Sequence, residues 1–208
     1  MRRATSPLYI VKRDISDYFG TIDHEILVDQ LERLIAPNDY LFCLLEQRVN
    51  FAYEDENGSH RAGIGVPFGC ASACLLANIY LTPLDRAIPR FPGVHYLRYA
   101  DDLLLISMDR EAALAAAEVV QVILKNLRLV TKASHEADLV IVGSSQSDAR
   151  FSSSRELRHL GLLFRAGGDV ALSRDKRRKI QNIFRFAGNG LALWPPSPPR
   201  SWKKAYAT

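Results

Sequence analysis

Two adjacent aspartates, Asp101 and Asp102, follow Tyr99-Ala100 where one β-prone apolar run, Val94-His95-Tyr96-Leu97-Arg98, gives way to another, Leu103-Leu104-Leu105-Ile106-Ser107. The pattern predicts a hairpin with two carboxylates at its tip. Carboxylates set among aliphatic residues are costly unless something pairs with them, and a divalent metal is a common partner. A solvated Asp-Asp turn has the same local signature, so the rest of the chain must choose. Leu8-Tyr9-Ile10-Val11-Lys12-Arg13-Asp14-Ile15 reads as a strand that delivers a third acid, Asp14, near its end. Three acids from neighbouring strand ends make a sparse, oxygen-rich site suited to Mg²⁺, which keeps waters and completes its shell with substrate phosphates. Two such ions about 3.5–4 Å apart stabilise both oxygens of an in-line phosphoryl displacement. The chemistry indicated is nucleotidyl transfer to a 3′-hydroxyl, with Mn²⁺ as the alternative ion.

Other elements must hold those acids. Leu27, Leu31 and Leu34 have helical spacing within Asp23–Ile35, with Asp23 as N-cap and Pro37 as terminator. A second helix is expected over Asp39–Val49, and a hairpin over Phe51–Ala62 turning at Asn57-Gly58. After the glycine-rich bend Gly63–Gly69, Cys70–Ile88 reads as one apolar helix, buried for most of its length. Beyond the Asp101-Asp102 hairpin come an alanine-rich amphipathic helix, Arg110–Leu127, and short strands at Leu129–Thr131 and Leu139–Val142. Ser144–Ser154 reads as a polar loop. His159–Arg165 should pair with Val170–Leu172, and a basic helix capped by Ser173 should run to Ala187. The order of elements predicts an α+β fold, an antiparallel sheet with helices packed on one face in the split β-α-β manner.

Composition sets outer limits. With 208 residues, 48% of them hydrophobic and 24% charged, the chain can bury a core, and no apolar run is long enough to cross a bilayer. The start, Met1-Arg2-Arg3-Ala4-Thr5-Ser6-Pro7, has no signal-peptide core, so a cytoplasmic location and no membrane partner are expected. Cys43, Cys70 and Cys74 cannot all pair and lack zinc spacing; they read as packing residues. From Arg150 to Thr208 there are 13 Lys/Arg against 3 Asp/Glu, while the preceding part is net acidic. A carboxylate-bearing body joined to a basic end suits divalent cations at one place and a phosphate backbone at another, although a solvated basic surface has the same charge.

Four stretches, in order and spacing, resemble the palm of prokaryotic reverse transcriptases, most nearly the group II intron type. They are Asp14-Ile15-Ser16-Asp17-Tyr18-Phe19 continuing to Leu27, Gly65-Val66-Pro67-Phe68-Gly69 with Ser72 and Leu76–Asp85, Arg98-Tyr99-Ala100-Asp101-Asp102, and His159-Leu160-Gly161-Leu162. The resemblance implies an RNA-directed DNA polymerase in which Asp14, Asp101 and Asp102 bind two Mg²⁺ ions and Ile15 lends its carbonyl. It implies that Phe19 is the aromatic gate that crowds a ribose 2′-hydroxyl and favours dNTPs. Pro67, Phe68 and Gly69 would contact the nucleotide, with Phe68 standing where the family usually has glutamine. Lys132 and His135 are candidates for the proton donor to pyrophosphate, although neither aligns cleanly with the family and plain surface placement is the favoured alternative.

On this reading residues 1–172 form the palm, with fingers largely missing, and 173–193 a basic helix that begins a thumb. Arg174, Lys176, Arg177, Arg178, Lys179 and Arg185 would face nucleic acid. Residues 194–208 would form a proline-rich tail. RNA template, DNA primer and dNTPs are the implied partners, with a protein partner or self-association completing fingers and thumb. The source would be a retroelement or a bacterial defence or CRISPR-linked system. The alternative is a catalytically weak RNA-binding or assembly subunit. Gly167-Gly168-Asp169 superficially resembles the signature of cyclic-dinucleotide synthases, but it lies beyond the paired acids, and a hairpin turn explains it better.

Overall fold

The computed structural model describes residues 7–55, 58–61, 63–66, 71–132, 139–141, 151–165 and 168–189. Two compact units divide the chain, 1–155 and 156–208. In the first, β1 (Leu8–Asp14) leads to helices α1 (His24–Glu32) and α2 (Tyr40–Val49) and then to the hairpin β2 (Ala52–Asp55) and β3 (Gly58–Arg61). Next come α3 (Ala71–Tyr80), α4 (Thr82–Ala87), a 3₁₀ turn (Ile88–Arg90), β4 (Val94–Tyr99), β5 (Asp102–Ser107), α5 (Arg110–Asn126), β6 (Leu139–Ile141) and β7 (Ser152–Ser154). The second unit holds β8 (Glu156–His159), β9 (Leu162–Arg165), β10 (Val170–Leu172) and α6 (Arg174–Asn189).

The main sheet runs β4-β5-β1-β6-β7, antiparallel except for the parallel β6–β7 pair. In β1 and β5, strand alternation sends Val11, Leu103 and Leu105 to one face, where they join the core that includes α5. Ile10, Lys12 and Asp14, opposite Ile106, Leu104 and Asp102, share the other face. The acids therefore lie on the face away from α5.

Ala113, Ala116, Ala117, Val120 and Leu124 are the buried side of α5, and the small residues let the helix approach the sheet closely. Ala117→Leu should cost about 1–3 kcal/mol by overpacking that seam. The same change at solvent-facing Ala115 should stay within about 0.5 kcal/mol. Urea denaturation midpoints of the two variants check the difference.

Asp23 caps α1 as expected, through Ile26 N–H, and Asp39, expected as the first helical residue of the second helix, is the cap of α2 through Leu41 N–H. Several boundaries differ. α1 stops at Glu32, short of Pro37, because the Leu34 and Ile35 amides both turn back to the Leu31 carbonyl. The apolar helix expected over Cys70–Ile88 is two helices, because Pro83 sits in the first turn of a new one. Gly58 pairs with Asp55 and so belongs to β3 rather than to the expected turn, while Asn57 lies outside the described residues. Leu129–Thr131 makes only an isolated bridge, Ile15 with Thr131. The end of the expected polar loop is β7, and within His159–Arg165 the chain turns at Leu160-Gly161, so that His159 ends β8 and Leu162–Arg165 is β9, paired with it. Cys43 and Cys74 are exposed rather than packed; Cys70 lies outside the described residues. β9 and β10 form a hairpin, which accounts for Gly168-Asp169, while Gly167 and the proline-rich tail are likewise outside the described residues.

Candidate active site

Asp14 and Asp102 are direct partners across the β1–β5 ladder, and the Ile15 amide donates to the Asp101 carbonyl at 3.2 Å. One backbone register thus gathers Asp14, Ile15, Asp101 and Asp102 at the end of the two central strands. The tip between β4 and β5 consists of Ala100 and Asp101, since Tyr99 pairs with Asp102. Ala100 has φ +53°, a left-handed conformation usually given to glycine in such two-residue turns and worth about 1–3 kcal/mol of strain.

The residues after β1 return beside it. The Ser16 amide donates to the Val130 carbonyl at 2.8 Å and the Lys132 amide to the Asp14 carbonyl at 2.9 Å. Lys132 is thereby laid against the acids, its Nζ donating to Asp14 Oδ1 at 2.8 Å. That hydrogen bond, reinforced by the charges of Asp14, Asp101 and Asp102, holds the Lys132 ammonium above the usual lysine range. On the same sheet face, Lys12 Nζ lies 3.6 Å from Asp102 Oδ1. Lys12 was not singled out by sequence, although its two-residue spacing from Asp14 already puts it on that face.

Among the described residues, no three acidic, histidine or cysteine side chains are already gathered around one point. The fit to Mg²⁺ rests on the donor set: three carboxylates that together act on one ammonium, all of them hard oxygen ligands. A divalent cation entering there competes with Lys12 and Lys132 for Asp102 and Asp14.

Behind the tip, on the face toward the helices, Arg98 makes a two-pronged ion pair with Asp85 of α4, with Nε donating to Oδ1 at 2.8 Å and Nη2 to Oδ2. Its Nη1 donates to Asn78 Oδ1 at 3.0 Å and to the Ala100 carbonyl at 3.3 Å. Tyr96 donates to Asp85 Oδ1 at 2.8 Å; burial, then that hydrogen bond, push its phenol well above the usual tyrosine range.

Phe19 lies in the turn after β1, half-buried, its ring 5.5 Å from that of Tyr18. The Tyr18 hydroxyl donates to the Ala77 carbonyl of α3. The Phe19 carbonyl accepts from Val66 N–H at 2.8 Å, and Ile22 accepts from Gly65 N–H at 2.7 Å. Gly65 has φ +85°, and a Cβ there would lie 3.1 Å from the Gly20 carbonyl, so this crossing needs glycine. The turn bearing Phe19 is thus stitched to the residues just before Pro67. Pro67, Phe68, Gly69 and His135 lie outside the described residues.

In the second unit, Arg174, Arg177, Arg178 and Lys179 are exposed on α6. Lys176 is turned to a structural task, its Nζ donating to the Leu160 carbonyl at 2.7 Å. Arg185 falls within α6, with its side chain outside the described ones. No helix among the described residues is long and apolar enough to cross a membrane.

Comparisons with known proteins bear on the family and the fold. The retron Ec83 reverse transcriptase of Escherichia coli is 25% identical over 193 residues, covering 90% of this chain and 58% of the relative. The COX1/OXI3 intron 2 protein of Saccharomyces cerevisiae is 30% identical over 79 residues, covering 38% of this chain and 9% of the relative. Apo telomerase from Candida tropicalis shares the fold at a TM-score of 0.63 and 13% identity, over 80% of this chain and 32% of that one. The chain therefore spans only part of the length of these relatives. The α+β layer with paired acids at the β4–β5 tip is a polymerase palm. Since the sequence model described as "Reverse transcriptase (RNA-dependent DNA polymerase)" matches residues 1–161, the chain belongs to the reverse transcriptase family.

Proposed function

We propose that the chain carries the palm of an RNA-directed DNA polymerase, adding dNTPs to a primer 3′-hydroxyl on an RNA template. The observation that carries this reading is the backbone register that pairs Asp14 with Asp102 and ties the Asp101 carbonyl to Ile15 at one end of the β1–β5 ladder. Asp14, Asp101, Asp102 and the Ile15 carbonyl would hold Mg²⁺. Bound there, the ions would acidify the primer hydroxyl and neutralise the triphosphate. The chain's own part is to fix the carboxylates by register and to keep a protonated Lys132 at the site, where it can release a proton to leaving pyrophosphate. Pro67, Phe68 and Gly69 would contact the nucleotide, and the α6 cations the nucleic-acid backbone. The setting would be a retroelement or a bacterial defence or CRISPR-linked system, and the likeness to a retron reverse transcriptase favours the first.

The test is primer extension by the purified chain on an annealed RNA template and DNA primer, with Mg²⁺ and dNTPs. Extension supports the reading. The second reading, a weakly catalytic RNA-binding or assembly subunit completed by a partner, is favoured by the two lysines already paired to Asp14 and Asp102. RNA binding without extension in Mg²⁺ or Mn²⁺ would select it.

Phe19 supplies a separate check. As a gate against the 2′-hydroxyl, Phe19→Ala should raise ribonucleotide incorporation relative to dNTP by about tenfold or more, the scale of one misfit group in a tight pocket. Competition between dNTP and rNTP in the same extension assay measures it. An unchanged ratio would leave Phe19 as a core aromatic beside Tyr18.

A further inference from the structure

Asp14 and Asp102 face one side of the sheet and Arg98 the other, yet Arg98 touches the backbone of the tip that carries Asp101. Asp101 belongs to a two-residue tip whose other member, Ala100, is held left-handed. Two hydrogen bonds secure the tip's carbonyls: the Ile15 amide binds that of Asp101 and Arg98 Nη1 that of Ala100. The guanidinium is itself fixed at every edge used, Nε and Nη2 by Asp85 and Nη1 also by Asn78. Asp85 is steadied further by the Tyr96 hydroxyl. A planar fork held by a carboxylate is a rigid object, and a lysine in its place is not. The Arg98 side chain is only 12% exposed, so the pair works with limited solvent screening.

We propose that Arg98 is a positioning residue: braced by Asp85, Asn78 and Tyr96, it clamps the left-handed Ala100 from behind the sheet and so sets where the Asp101 carboxylate stands relative to Asp102 and Asp14. The proposal rests on the carboxylate site described under Proposed function. It assigns a task to the helix pair α3–α4, which supplies Asn78 and Asp85: these helices hold the tip through one guanidinium. Glycine reaches the left-handed region at no steric cost, so Ala100→Gly should make the clamp less necessary.

The experiment compares the full chain, Arg98→Lys, Arg98→Lys/Ala100→Gly and Asp101→Asn. Mn²⁺ affinity is read by electron paramagnetic resonance, with primer-extension kinetics and thermal unfolding on the same samples. Arg98→Lys should lose about tenfold in Mn²⁺ affinity and in kcat, as outer-sphere partners of metal ligands do, with KM for dNTP within about twofold. Adding Ala100→Gly should restore most of both losses. A role in stability alone would lower the unfolding temperature without moving Mn²⁺ affinity, and glycine would then rescue nothing; either result overturns the proposal. If Arg98→Lys does not fold, Asp85→Asn, which keeps the shape and removes the bracing charge, should show the same loss of Mn²⁺ affinity; wild-type affinity in that variant also overturns it. Should the wild type bind Mn²⁺ no better than Asp101→Asn, it is the carboxylate site itself that fails, not the clamp.

Discussion

Asp101→Asn is expected to leave a folded chain that adds nucleotides on the order of 10³-fold more slowly than wild type, about 4 kcal/mol of lost transition-state stabilisation. The substitution is clean because the structural use of position 101 is its main-chain carbonyl, which accepts from the Ile15 amide and survives the change. The amide side chain matches the carboxylate in size and lacks its charge, so a divalent ion loses a ligand while the turn keeps its shape. Asp14 and Asp102 are less clean, because each has a lysine beside it and neutralising either acid would also release an ammonium within the site. Single-turnover extension in Mg²⁺, read beside thermal unfolding, makes the check. Full activity in the variant would remove Asp101 from the metal site. Equal losses of activity and of folded protein would assign it a structural task.

That this acid could be found in sequence at all follows from how local its signal is. Two apolar β-prone runs flanking Tyr99-Ala100-Asp101-Asp102 specify a hairpin, and the strand register then does the rest. The Asp23 cap was equally legible, since it acts within three residues of its own position. What escaped was decided over distance or by unusual backbone. Ser152–Ser154 has no strand signal and becomes β7 because β6 offers it an edge. Leu160, at φ +49°, turns the chain at a residue whose type gives no hint of it, which is why His159–Arg165 reads as one strand and Glu156–Arg158 as none. Pro83 was read through rather than as the start of a new helix, although the first turn is where proline is at home.

The site itself divides in the same way. Asp14, Asp101 and Asp102 were visible by type, while Lys12 and Arg98 were present in the same motifs without a role. Their partners depend on the β1–β5 register for Lys12 and on the packing of α4 behind β4 for Arg98. Charge pairing across elements is invisible until the register is fixed. The use of an exposed side chain is hidden as well: Lys176 belongs by sequence to a basic helix, yet its ammonium serves the Leu160 carbonyl and is occupied within its own unit.

Charge removal on α6 is expected to change both the strength and the salt dependence of RNA binding. Arg174, Arg177, Arg178 and Lys179 are exposed cations on one helix; Asp175 is engaged by Arg158, so it offsets them less than the sequence suggests. If each of the four meets one phosphate, the logarithm of the binding constant falls with the logarithm of salt concentration with a contribution of about −0.7 to −0.9 per contact. Four contacts then lose on the order of 10²-fold in affinity between about 50 and 200 mM salt. Replacing all four with Gln, which keeps helix propensity, should weaken binding by a similar factor at the lower salt and flatten the slope by about three to four. The two proteins should therefore converge as salt rises, a behaviour that simple misfolding does not produce. Fluorescence anisotropy of a labelled template–primer duplex across a salt series, with circular dichroism to verify the helix, provides the measurement. An unchanged slope would make these side chains a solvated face and move the nucleic-acid contacts of this chain to its first unit.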